Sequence, residues 1–203
     1  MNASLRPRRS ALYMPSSNEK ALEKAKTIAS DAIIFDLEDA VSPDAKPAAR
    51  ANAVAAANSG AYGSRELTIR CNGLETPTAI FDVRAIAAHP RVATLVMGTN
   101  DLAKELRATQ VRGRAPLMPH LATALLAARE AGKVILDGVF NDVKDLDAFR
   151  DECVQGMHMG FDGKTLIHPT QVDIANDVWA PTADEVDHAK RVIAAFDEAT
   201  AEG

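Results

Sequence analysis

The chain has 203 residues, 47% hydrophobic and 25% charged, the balance of an ordinary globular domain long enough to bury one sizeable core. Twenty-three Lys and Arg against 28 Asp and Glu leave a formal charge of −5, too acidic overall for a nucleic-acid surface. No apolar run approaches the ~20 residues of a membrane span, and none follows Arg6, Arg8 and Arg9 to make a secretory signal.

The first expected strand is Ala11–Met14, with a polar exit at Pro15-Ser16-Ser17-Asn18. Ser17-Asn18 is also an N-cap signal for a helix that carries Ala21, Leu22, Ala25, Ile28 and Ala29 on one stripe. Ala32–Phe35 is a continuous apolar run, which indicates a strand buried on both faces and hence a parallel sheet. It leads into Asp36-Leu37-Glu38-Asp39. Glu66–Cys71 is the third strand and ends in Arg70-Cys71-Asn72-Gly73. Ile80, Val83, Ile86 and Ala87 spell a helix stopped by His89-Pro90. Ala93–Met97 is the fourth strand, with Gly98-Thr99-Asn100-Asp101 after it. An alanine-rich helix from Leu121 to Ala131 is closed by Gly132. Val134–Val139 is the fifth strand, and Asp142 caps a helix through Val143, Leu146 and Phe149 to Cys153. Met157–Phe161 is read as the sixth strand, with Gly163-Lys164 just beyond it. Thr182 and Glu185 form a capping box before the stripe Val186, Ala189, Ile193 and Phe196.

This alternation predicts an α/β protein with a parallel sheet, open or closed into a barrel. In such folds the chemistry sits just past the carboxyl ends of the strands, and nearly every expected strand here ends in a carboxylate, an amide or a cation. The carboxylates have no imidazole–thiol cluster with them, so a bound metal would be an oxygen-loving Mg²⁺ or Mn²⁺; the competing role is helix capping, as by Asp101 for Leu102–Leu106. Arg70 closes an apolar strand, where it either clamps a carboxylate ligand or makes an ion pair across the mouth. Gly163-Lys164-Thr165 is not a P-loop, because His158 stands where the pattern needs glycine. Cys71 and Cys153 form no framework and no CxxC, which points to a reducing cytoplasm and two buried thiols. His168 is read as structural, and Tyr13, Phe35, Phe140 and Phe161 as core.

Six segments in order are similar to the citrate lyase beta-subunit-like branch of the HpcH/HpaI aldolase family. They are Arg9–Pro15, Asp36–Val41, Ile69–Gly73, Glu75-Thr76-Pro77, Met97–Leu102 and Gly163–Pro169. The resemblance implies a TIM barrel, a Mg²⁺ ion (Mn²⁺ as a substitute) and carbon–carbon cleavage of a malyl-, citramalyl- or citryl-type CoA thioester. It assigns Arg70 to the keto-acid carboxylate, and Glu75 and Asp101 to the metal, with Glu75 also beside the substrate. In the family, the Arg and Glu motifs lie on different strands, whereas here Arg70 and Glu75 are five residues apart. Glu75 therefore corresponds to the family's metal ligand, to the loop after its third strand, or to both through a fusion. The expectation is one domain over residues 1–203, a TIM-derived α/β fold of about six strands where a full barrel has ~250 residues in all. Two β/α units after residue 73 and the family's C-terminal extension are expected to be missing. Exposed sheet edges, and uncovered Ile80, Val83 and Ile86, would then favour a homo-oligomer. The alternative is a non-catalytic remnant that binds CoA, a metal or another protein.

Overall fold

A computed structural model describes residues 6–38, 40–70 and 74–202; Asp39, Cys71, Asn72 and Gly73 of the sequence motifs lie outside them. Six strands, β1 Ser10–Pro15, β2 Ala32–Asp36, β3 Glu66–Arg70, β4 Thr94–Val96, β5 Val134–Asp137 and β6 Gly163–Leu166, form one sheet in the order β3-β2-β1-β6-β5-β4. Every pairing within it is parallel. The sheet curls as a half-barrel of the TIM type, an α/β fold in which β6 closes back on β1. No helix among the described residues is long and apolar enough to cross a membrane.

Nine helices are described: α1 Glu19–Ala25, α2 Lys46–Asn58, α3 Pro77–Phe81, α4 Val83–Ala88, α5 Thr99–Glu105, α6 Met118–Glu130, α7 Leu146–Met159, α8 Val172–Val178 and α9 Ala183–Glu202. Residues of alternate parity on each strand face the helices or the lumen. On the helix side, Ile33, Phe35 and Leu166 join Phe149, Cys153 and Tyr62 in one core, and Leu95 and Ile135 join Leu121 and Leu125 in another. Among the described residues, a small apolar cluster of Ala11, Ala32, Ile34 and Leu136 lies on the lumen side, with Tyr13, Val96 and Val134 packed against it.

Asn18 caps α1 through its side chain, and the Thr182–Glu185 box opens α9, both as the sequence indicates. Four expectations are corrected. Met157–Phe161 is not a strand: α7 runs on to Met159 and stops at Gly160, whose φ of 102° lies in the region that favours glycine. The alternation of Met157, Met159 and Phe161 is that helix's last turn and its exit, and the strand begins at Gly163 instead. Lys164 therefore sits inside β6, wholly buried, and does not follow a strand. The cap of α7 is Asp145, whose side chain accepts from the Ala148 N–H; Asp142 bonds Lys144 within the preceding turn. The Ile80–Ala87 stripe is split at Asp82 into α3 and α4, and Ile80 and Val83 are covered by the α6 core rather than exposed.

The two ends of the sheet differ. β3 ends at Arg70, and four residues later Leu74 lies beside β4, bridging Met97 in parallel. The Leu74 N–H donates to the Val96 carbonyl at 2.9 Å, and the Gly98 N–H donates to Leu74 at 3.0 Å. Four residues span at most ~14 Å, so Arg70 at one edge of the half-barrel and Leu74 at the other lie within that distance.

Candidate functional site

The carboxyl ends of the strands surround a cavity of about 390 Å³, and Arg70, Glu75 and Asp101 all line it. Three separate segments deliver them. Arg70 is the last residue of β3 and shares the lumen face with Thr68 by strand parity. Glu75 follows the Leu74 bridge, and Asp101 lies in the first turn of α5.

Gly98 explains how Glu75 and the α5 turn come so close. A Cβ added at Gly98 would lie 2.5 Å from the Glu75 Cβ and 3.0 Å from its Oε2. Only glycine lets the Glu75 segment lie against the entrance to α5. The two motifs carrying Glu75 and Asp101 thus form one packed unit. Among the described residues, no three His, Cys, Asp or Glu side chains gather as a metal cage. The donors at hand are carboxylate and amide oxygens with no imidazole. That set fits a hard divalent ion, which is typically held by one or two carboxylates and completed by water and substrate.

Arg70 has protein partners of its own. Its Nε and Nη2 donate to the two Asp36 oxygens at 3.1 and 3.0 Å, and Glu38 Oε2 lies 3.3 Å from Nε. The guanidinium also sits over the Tyr13 ring, 5.0 Å from its centroid. Burial pushes the Tyr13 hydroxyl up to about 12, against the opposing pull of Arg70. The ion pair that Arg70 makes is with Asp36, its register partner on the neighbouring strand β2, rather than across the mouth, and the guanidinium borders the cavity. Tyr13, read from sequence as core, belongs to this site, as does Asp36. The available signal was parity: Tyr13 lies two residues from Ala11 and so on the lumen face, near the strand's carboxyl end.

A second charged assembly escaped the sequence entirely. On the helix side, Lys164 Nζ donates to Asp137 at 2.9 Å and to Glu152 at 2.8 Å. Arg114 Nη1 donates to both Asp137 oxygens at 2.7 and 2.8 Å. Burial alone would raise the Asp137 carboxyl, but Lys164 and Arg114 together outweigh it and hold the group below its ordinary range. Burial would likewise lower Lys164, and Asp137 and Glu152 reverse that. The Asp137 side chain also accepts from the Gly138 N–H, which fixes the start of the loop after β5. Asn141 in that loop exchanges two hydrogen bonds with Asn100, the neighbour of Asp101. The buried cluster therefore braces one wall of the cavity.

Burial also holds the Cys153 thiol up at about 12, in keeping with an inert core residue. His168 caps the short 169–171 turn, with Gln171 completing a capping box, which is a structural role.

Comparison with known proteins gives the family and the fold. The family model described as HpcH/HpaI aldolase/citrate lyase matches residues 9–80 and 72–169, two pieces that overlap just after β3. A (3S)-malyl-CoA thioesterase of Cereibacter sphaeroides (strain ATCC 17025) is 43% identical over 244 positions, covering 97% of this chain and 86% of the relative. Since 97% of 203 residues is about 197, about 47 of the 244 aligned positions have no counterpart in this chain. Citrate lyase subunit beta of Leuconostoc mesenteroides is 30% identical, covering 98% and 85%. In fold, the chain is similar to the protein CitE of Mycobacterium tuberculosis solved with magnesium, acetoacetate and coenzyme A. The TM-score is 0.73 at 23% identity, over 96% of this chain and 89% of that one. With most of its length matched by the family model and a relative aligned nearly end to end, the chain belongs to the HpcH/HpaI aldolase/citrate lyase family.

Proposed function

We propose that the protein is a Mg²⁺-dependent carbon–carbon lyase acting on a malyl-type 3-hydroxyacyl-CoA thioester and releasing an acyl-CoA and a keto acid. Citramalyl and citryl thioesters are the neighbouring substrates, Mn²⁺ substitutes for Mg²⁺, and the cytoplasm is the setting. The observation that carries this reading is the convergence of Arg70, Glu75 and Asp101 on one cavity. It is supported by the 30% likeness to a citrate lyase beta subunit and the 29% likeness to an L-malyl-CoA/beta-methylmalyl-CoA lyase.

In this reading Glu75 and Asp101 hold the ion, which when bound supplies Lewis-acid polarisation of the substrate's oxygen atoms. Arg70 orients the substrate carboxylate, and Asp36 and Tyr13 orient Arg70. Cleavage breaks the bond between the thioester's α-carbon and the hydroxyl-bearing carbon. The electron pair goes to the α-carbon as a thioester enolate, the hydroxyl proton leaves as the new carbonyl forms, and a proton taken up at the α-carbon completes the acyl-CoA. The shortened body is part of the same proposal. The chain omits two β/α units between the end of β3 and Leu74, so that Glu75 serves as the metal ligand from a fused segment.

One observation favours a second reading: the relative at 43% identity is a thioesterase, and its reaction would be hydrolysis of the same class of thioester. A single assay separates the two, following glyoxylate and free CoA thiol from malyl-CoA with and without Mg²⁺. Lyase activity gives glyoxylate without free thiol, and hydrolysis gives thiol without glyoxylate. Asp101→Asn and Arg70→Lys are expected to abolish or strongly reduce whichever product forms, the latter because an ammonium lacks the guanidinium fork. Neither product at any Mg²⁺ concentration would leave the non-catalytic remnant as the correct description.

A further inference from the structure

Strand order sorts the cavity wall into two arcs. β2 and β3 lead to one edge of the sheet, the Leu74 segment and β4 to the other, and Arg70 and Leu74 at these edges lie within ~14 Å. Together these elements bring Asp36, Arg70, Glu75 and Asp101 to the cavity. On the other side β1, β6 and β5 are neighbours, and they bring Pro15, Ile167 and Val139. Pro15 ends β1, Ile167 follows the last residue of β6, and Val139 lies two residues past β5. Tyr13 and Asn141 add a hydroxyl and an amide to this second arc but no charge. Among the described lining residues Arg70 is the one cation, set against three carboxylates.

The lyase reading, on which this inference rests, sets how a substrate meets the two arcs. Malyl, citramalyl and citryl thioesters differ in one substituent on the hydroxyl-bearing carbon: hydrogen, methyl or carboxymethyl. That carbon is tetrahedral. Its hydroxyl and carboxylate belong with the charged arc, beside the ion's ligands and Arg70. The CoA arm is far larger than a cavity of about 390 Å³ and leaves through the opening. The remaining substituent is left facing Pro15, Val139 and Ile167.

We propose that this uncharged arc selects a keto acid with a single carboxylate, glyoxylate or pyruvate, and rejects oxaloacetate and with it citryl thioesters, Ile167 and Val139 being the specificity-determining residues. A hydrogen or a methyl meets apolar side chains there without losing any polar partner. A carboxymethyl group gives up water against the same side chains and finds no cation on that arc. It also adds a negative charge to a cavity that already carries three carboxylates. The arc is held in place from behind. Gln171 is wholly buried; its side-chain oxygen accepts from the Ile167 N–H at 3.1 Å, and its amide nitrogen donates to the Phe140 carbonyl at 3.0 Å. The exits of β6 and β5 are thereby tied together, which keeps Ile167 and Val139 on one wall.

The test compares the binding of pyruvate, oxaloacetate and 4-methyl-2-oxopentanoate in the presence of Mg²⁺, each titrated fresh and followed by saturation-transfer NMR. The last acid matches oxaloacetate in size and has an uncharged group in place of its second carboxylate. Pyruvate and 4-methyl-2-oxopentanoate are expected to bind, and oxaloacetate to bind at least ~10-fold more weakly than its uncharged counterpart. Ile167→Lys sets an ammonium on the uncharged arc, and the ratio of oxaloacetate to pyruvate affinity is expected to rise ~10-fold. Oxaloacetate binding as tight as its counterpart, or equal rejection of both larger acids, would overturn the proposal and leave the lyase reading in place. An unchanged ratio in a folded Ile167→Lys chain would do the same; should that variant fail to fold, the wild-type comparison alone decides. Binding of no keto acid at any Mg²⁺ concentration would overturn both.

Discussion

Gly98 carries no chemistry, yet it fixes where a carboxylate can be. With 2.5 Å between its added Cβ and that of Glu75, Gly98→Ala must push one segment away from the other. Overpacking of this kind costs ~1–3 kcal/mol. If Glu75 and Asp101 share an ion, Mg²⁺ affinity by calorimetry should fall ~10–100-fold, as for other residues that orient metal ligands. The buried Lys164–Asp137 pair makes a different prediction. Lys164→Met strands a wholly buried carboxylate with Arg114 as its remaining cation, and ~3–5 kcal/mol of unfolding free energy should be lost in urea titrations. The pH dependence follows from the two shifts. Asp137 is held below its ordinary 3.8, so its share of stability is present above that value and is lost as pH falls through the lowered one. Lys164 is held above its ordinary 10.5, so its share is present below that value and is lost as pH rises through the raised one. Urea titrations of wild type should show stability falling at both extremes, and Lys164→Met should lack the alkaline loss.

At the scale of elements, α7 shows how local signals mislead. Asp142 and Asp145 both precede the helix and both are capping residues by type; only the path of the loop decides which one meets a free N–H. Asp145→Ala should cost ~1 kcal/mol, shifting the urea midpoint with an unchanged slope, while Asp142→Ala should cost less because it ends no helix. At its other end the helix absorbs a segment that looks like a strand, since Met157, Met159 and Phe161 alternate over too few residues to separate period 2 from the end of period 3.6. Longer patterns were legible. The continuous apolar run Ala32–Phe35 is a fully buried central strand, and the Thr182–Glu185 box does open α9.

At the scale of the whole molecule, α9 stands apart from the half-barrel. Val186 is half-buried and every residue from 187 to 200 is exposed, including Ile193 and Phe196 of its apolar stripe. Little of the folding free energy resides there. Removing residues 183–203 should change the stability of the body by no more than ~0.5 kcal/mol in urea, and the amides of α9 should exchange faster than those of β1 and β6. A larger loss on truncation would mean that the stripe packs against the body or a second copy in solution.

The sequence by itself determined the α/β class, the parallel sheet, five of the six strands and the family, because buried parallel strands and ordered motifs are written in contiguous residues. It also put forward Arg70, Glu75 and Asp101. Only the tertiary structure decided that they border one cavity, since three separate segments deliver them and a glycine's empty space sets the approach of two. The buried quartet of Arg114, Asp137, Glu152 and Lys164 was invisible for the same reason. Its members span 50 positions of sequence, and no local pattern marks a charge whose partners arrive through strand order and helix packing.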